Sequence, residues 1–153
     1  MRKSIYLIVL SLFIMSSCSK DDEITETGNI QIIFGNVYGA CAEGCSDLYQ
    51  LTDSTLFKNK TDIMNGIVLF DDTPLSDSKH NIATELLDLP KTLRNKTYES
   101  EDLIQSIADF DYYLEVIING TESLLIFDEI DESKNKDLYE YAELMKQVMA
   151  DLQ

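Results

Sequence analysis

Tyr112-Tyr113-Leu114-Glu115-Val116-Ile117-Ile118-Asn119-Gly120-Thr121-Glu122-Ser123-Leu124-Leu125-Ile126-Phe127 is the stretch that decides the fold. Asn119-Gly120 readily takes the positive φ angles of a type I′ turn, and apolar runs flank it on both sides, so the stretch predicts a β-hairpin. Side chains alternate across a strand. This register therefore places Tyr112, Leu114, Val116, Ile118, Leu125 and Phe127 on one face, the expected core face, with Glu115 and Glu122 on the other.

Upstream, residues 29–37 alternate, with Ile30, Ile32 and Phe34 on one side and Gln31 opposite, the pattern of a half-buried strand. Gly35, Gly39 and Gly44 mark a loop after it. Residues 48–52 and 55–58 predict two short strands joined at Asp53-Ser54, a pair suited to a turn, with Leu51 facing Leu56. Ile67 to Phe70 follows Asn65-Gly66 as a continuous apolar run and predicts a further buried strand. Together these form an antiparallel meander.

Ser76, Asp77 and Ser78 offer helix caps before Ile82, Leu86 and Leu89, which share a face at helical spacing. Pro90 cannot continue that helix without losing a hydrogen bond, so the chain is expected to break near Asp88 and restart as a short turn over residues 91–95. A short helical piece is expected over residues 101–108, behind a Ser100 cap. Leu138, Tyr141, Ala142, Met145, Val148, Met149 and Leu152 recur at steps of three and four, the stripe of a C-terminal helix lying across the sheet. The order strands, helix, strands, helix argues an α+β fold: an antiparallel β-sheet, meander plus C-terminal hairpin, with two main helices packed on one face.

The first residues divide differently. Arg2 and Lys3, the apolar run Ile5 to Met15, and the small residues Ser16 and Ser17 form the three parts of a secretory leader. The run is shorter than the roughly 20 residues a membrane-spanning helix needs. Met15-Ser16-Ser17-Cys18 resembles the lipobox of bacterial lipoproteins: an apolar residue, two small residues, then the cysteine. That resemblance implies a diacylglyceryl thioether on Cys18, cleavage before it, and acylation of the new amino terminus. Two or three acyl chains anchor stably where one alone is marginal. Ser19-Lys20-Asp21-Asp22-Glu23 is similar to the acidic export tag of Bacteroidetes surface lipoproteins, which implies display on the outer leaflet of the outer membrane. The organisation expected is thus a signal peptide over residues 1–17, lipidated Cys18 with an acidic tether over 18–28, and one α+β domain over 29–153. As a flexible chain, the tether spans roughly 17 Å.

Loss of Arg2 and Lys3 with the leader leaves 10 basic against 28 acidic residues, a formal net charge of −18. Such a field repels phosphate backbones and anionic lipid, so nucleic-acid binding is disfavoured; it allows a cationic protein partner or Ca²⁺, and solubility at a crowded cell surface is the simpler reading of the same charge. Beyond Cys18 the cysteines are Cys41 and Cys45, an even pair in an oxidising compartment, for which a disulfide is the default. Cys41-Ala42-Glu43-Gly44-Cys45 has one residue too many for a Cys-x-x-Cys redox centre. A zinc site would need roughly two further ligands.

Phe34-Gly35-Asn36-Val37-Tyr38-Gly39-Ala40-Cys41 through Cys45, followed by Leu48-Tyr49, resembles small uncharacterised bacterial lipoproteins with a Tyr-Gly-x-Cys turn running into a Leu-Tyr strand. A rigid loop flanked by aromatics makes Tyr38, Glu43 and Tyr49 the candidate binding surface. The alternative is that both tyrosines pack in the core.

His80 lies in a polar stretch and is expected to be a solvated surface residue. General-base work there would need a nucleophile and an orienting acid that no local motif announces. Carboxylates cluster at Asp71-Asp72, Asp109/Asp111 and Asp128 to Glu132. A calcium loop over residues 129–140 would have Lys134 where the turn requires glycine. Asp53-Ser54-Thr55 resembles the short sequence on which Bacteroidetes O-glycosylate exported proteins. No catalytic residue, metal or cofactor is implied. The function expected is a non-enzymatic binding or accessory lipoprotein of the cell envelope. Alternatives are an inhibitor or immunity-type protein for a basic enzyme, and a small hydrolase with dispersed residues.

Overall fold

The computed structural model describes residues 28–39, 44–63, 67–104 and 110–153. The strands are β1 (Ile30–Tyr38), β2 (Ser46–Leu51), β3 (Leu56–Lys58), β4 (Leu103–Ile104), β5 (Phe110–Ile118), β6 (Thr121–Phe127) and β7 (Glu129–Ile130). The helices are α1 (Asp77–Ala83), α2 (Lys91–Arg94) and α3 (Lys136–Leu152). One antiparallel sheet has the order β3-β2-β1-β5-β6, and β4 pairs with β7 beside it. The fold is α+β.

Asn119 and Gly120 sit at φ 52° and 79°, the two positive values a type I′ turn requires, and the hairpin closes with Ile118 opposite Thr121. Leu114, Val116, Leu125 and Phe127 are buried, with Tyr112 and Ile118 packed against them. β2 and β3 pair around the Asp53-Ser54 turn with Leu51 opposite Leu56, both fully buried. The stripe of α3 is buried along its whole length and packs with Leu86, Leu89 and Leu93 over the same sheet face, which Ile32 and Phe34 complete.

α1 ends at Ala83, and the chain tightens into a 3₁₀ turn at Thr84–Leu87 before Pro90, where α2 begins. The buried phenol of Tyr141 on α3 donates to Leu86 O at 2.8 Å, which ties this turn to α3. Burial pushes that phenol well above its ordinary range. Burial and the Glu115 carboxylate, which accepts a 2.7 Å hydrogen bond, do the same to Tyr113. Above about pH 10 the unfolded chain releases these protons while the native state keeps them, so stability falls as pH rises there. Tyr141→Phe strands the Leu86 carbonyl and is expected to cost about 1–3 kcal/mol at neutral pH. It should also flatten the alkaline fall, as read from urea midpoints on either side of about pH 10.

Three expectations are corrected. Ile67 to Phe70 is not a buried strand. Ile67 and Leu69 are 63% and 56% exposed, while Val68 and Phe70 turn inward. The segment forms a narrow ribbon with the chain after β3, through Lys60 N to Leu69 O and Asp71 N to Lys58 O. Its inward side chains join Ile63, Ile33, Leu48 and Tyr113 in a second, smaller core on the sheet face away from the helices. Next, residues 101–108 do not begin a helix: after one 3₁₀ turn at Ser100–Asp102, capped by Glu99 and not Ser100, the chain enters β4. Residues 105–109 lie outside the described residues. Finally, Ser76 precedes α1 but makes no side-chain cap; its hydroxyl lies 2.9 Å from Ser78 Oγ.

Candidate functional site

β1 starts just after Gly28 and runs nine residues to Tyr38. At about 3.3 Å per residue this separates its ends by roughly 30 Å. The β5–β6 turn lies at the Gly28 end, where Asn119 N donates to Asn29 O at 3.2 Å. The loop joining β1 to β2 lies at the far end. The Asp53-Ser54 turn is at the near end with Gly28 and Ile30, and both of its residues are exposed.

Loops stay rigid only where something satisfies their backbone groups. Tyr38 N donates to Cys45 O at 2.8 Å, closing the base of the β1–β2 loop. Asp62 accepts from Gly44 N at 3.0 Å and from Ser46 N at 2.9 Å, and Ser46 Oγ adds 3.3 Å. Asn59 accepts from Leu48 N at 2.9 Å through Oδ1 and donates to Ser46 O at 3.1 Å through Nδ2. Two side chains from the segment after β3 therefore clamp the loop's descending limb. Asp62→Ala is expected to cost about 1–2 kcal/mol, because Gly44 N and Ser46 N lose their acceptor. Amide exchange at those two residues should accelerate more than at β5; unchanged exchange would remove the clamp.

Tyr38 is 37% exposed at the rim of this loop. Glu43 and Cys41 lie outside the described residues, and with Cys41 so does the expected Cys41–Cys45 bridge. Tyr49 is corrected: it is 3% exposed, stacks on Phe34 with ring centroids 5.5 Å apart, and has Lys58 Nζ 5.5 Å from its ring centre. Desolvation, reinforced by Asp47, raises its phenol pKa. It is a core residue, placed on the helix-side face by strand alternation, and offers no recognition surface.

His80 is half-buried and not simply a free surface side chain: its Nε2 lies 3.2 Å from Thr52 O, so it ties α1 to the β2–β3 turn. The acids around residue 131 build the start of α3. Asp131 accepts from Ser133 Oγ at 2.6 Å and Ser133 N at 3.0 Å, which hold its carboxyl below the usual range. Asn135 caps the helix through Leu138 N at 3.2 Å and donates to Asp102 Oδ2 at 2.9 Å. Asp71 N donates to Lys58 O, and Asp72 Oδ2 lies 3.6 Å from Lys60 Nζ. Asp109 lies outside the described residues. Among the described residues no group of three or more His, Cys, Asp or Glu side chains could hold a metal ion. No described helix is long and apolar enough to cross a membrane.

Asn59 and Asp62 are the site residues that reading the sequence missed. Both are types that bond backbone groups in turns. Their partners lie 11 to 18 residues upstream, however, a distance that no local pattern encodes. No protein-family model matches the chain. No curated protein matches it either.

Proposed function

We propose that this chain is a cell-envelope lipoprotein, lipidated on Cys18 and held at the outer membrane, whose domain is a non-enzymatic binding module for a cationic protein partner. The presenting element in this reading is the β1–β2 loop, with Tyr38 at its rim, Glu43 as the second contact expected from the sequence, and a Cys41–Cys45 disulfide expected across it. The observation that carries the reading is the direction of β1. The strand runs from Gly28, where the chain from Cys18 arrives, to Tyr38 about 30 Å away. A domain tethered at one end of its central strand thus holds a clamped loop at the other, out of the headgroup layer. The formal charge of −18 after leader removal favours a basic partner through faster encounter.

Two measurements test this. Cys18→Ala is expected to stop incorporation of labelled acyl chains and to release the protein from the membrane fraction; unchanged labelling overturns the anchor. Crosslinking in the native envelope is expected to recover one stoichiometric basic partner, with recovery at least tenfold lower for Tyr38→Ser at unchanged thermal midpoint. A partner retained at full yield by that variant overturns the loop as the recognition element.

A further inference from the structure

A groove of about 250 Å³ lies between α2 and the β5–β6 hairpin. Leu93 and Ile118 form its apolar part, and Arg94, Lys96, Thr121 and Ser123 supply polar groups, with no carboxylate among the residues that line it. In a chain with 28 acidic against 12 basic residues, that lining is exceptional. Arg94 is the only arginine apart from Arg2.

Each donor is held in place by the fold. Arg94 Nε donates to Leu89 O at 2.9 Å, which orients the guanidinium plane. Its Nη2 lies 3.7 Å from Asp88 Oδ1, and that aspartate side chain is 96% exposed, so the ion pair is weak and easily exchanged. Lys96 takes φ 51° just after α2, a left-handed conformation that turns the chain towards β6, where its Nζ donates to Glu122 O. An ammonium carries three donors, so capacity remains. Ser123 is only 7% exposed and lines the groove beside Thr121.

We propose that this groove binds a phosphate group. A guanidinium fork, an ammonium and two hydroxyls offer donors from several directions, which suits a tetrahedral anion with three or four acceptor oxygens better than a planar carboxylate with two. The overall negative charge opposes approach, but at physiological salt it is screened beyond about 8 Å, so the contact itself decides binding. The affinity is modest and falls with added salt. The site does not depend on the lipid anchor; only the origin of the phosphate does. The groove sits at the Gly28 end of the sheet, so an anchored protein would present it to phosphate-bearing lipid headgroups, whereas a released one would meet free phosphate.

The test uses the chain from residue 18 onward, followed by amide NMR shifts on titration with inorganic phosphate at constant ionic strength set with chloride. Saturable shifts are expected at Lys96, Thr121 and Ser123 and not at the β1–β2 loop. Arg94→Gln is expected to weaken binding about tenfold, equivalent to about 1.4 kcal/mol, and Ser123→Ala about threefold, both with unchanged far-ultraviolet circular dichroism. Vesicles with phosphodiester headgroups that displace inorganic phosphate would identify the headgroup as the source; displacement absent with the phosphate titration intact would identify the free ion. Shifts that do not saturate, or that persist undiminished in Arg94→Gln, would overturn the proposal.

Discussion

Gly35→Ala is expected to destabilise the domain by about 4 kcal/mol, a large share of the roughly 5–15 kcal/mol by which domains of this size are stable. Gly35 sits in the middle of β1 at φ 151°, a conformation that L side chains rarely adopt. A Cβ built there would lie 2.0 Å from Asp47 O and 2.9 Å from Leu48 Cα, both backbone atoms of the neighbouring strand. No rotamer change relieves such a contact; β2 would have to move away. The strained backbone contributes about 1–3 kcal/mol, and each ladder hydrogen bond lost adds about 0.5–1.5 kcal/mol. Gly35 pairs with Leu48 on one side and Tyr113 on the other, and these two side chains join the second core on the face away from the helices. The glycine lets β2 approach closely enough for that core to form. Gly39→Ala is the control: nothing lies within 4 Å of its added carbon, so its urea midpoint should barely move. Equal midpoints for the two variants would refute this account.

The elements legible in the sequence are those whose instructions are local. Asn119-Gly120 specifies its own turn angles, and once that turn is placed the two-residue period assigns every side chain of β5 and β6 to a face. The stripe from Leu138 to Leu152 needs only the helical period, and Pro90 stops the preceding helix through its own missing N–H. Misread segments are those decided by distant partners. Leu103 and Ile104 look like part of a helical face, yet Ile130 and Glu129 recruit them into a strand pair. Ile67 and Leu69 read as core because they sit in an apolar run, but only alternate residues of that ribbon find the second core. Of the candidate binding residues, Tyr38 is exposed and Tyr49 is not: alternation puts both on the helix-side face, but Tyr49 stacks on Phe34 whereas Tyr38 is the last residue of β1. The same holds for the Arg94 groove, whose members are gathered from α2, the residues just after it and the β5–β6 hairpin by packing alone.

Phe34→Ala is expected to cost about 3–5 kcal/mol, the range for truncating a fully buried aromatic. Phe34 is 0% exposed and follows Ile32 on the helix-side face of the central strand, opposite Tyr49 on β2 and Leu114 on β5. Its ring stacks on Tyr49 at 5.5 Å between centroids, and such pairs contribute about 0.5–1.5 kcal/mol beyond the area they bury. β1 has a strand on each side and α3 packs over its face, so the surrounding backbone cannot collapse into the space left behind. A cavity at this position removes contacts from both halves of the sheet and from the helix layer at once. The loss should therefore appear as a shift of the whole urea transition with its slope unchanged, not as local fraying. Phe34→Leu keeps most of the volume and is expected to recover more than half of the lost stability. The contrast with the neighbouring residue is diagnostic. At Phe34 stability falls because side-chain volume is removed, and at Gly35 because it is added. If Phe34→Ala moved the midpoint by no more than an exposed substitution such as Asp77→Ala, the sheet and helix layer could not share the single core described above.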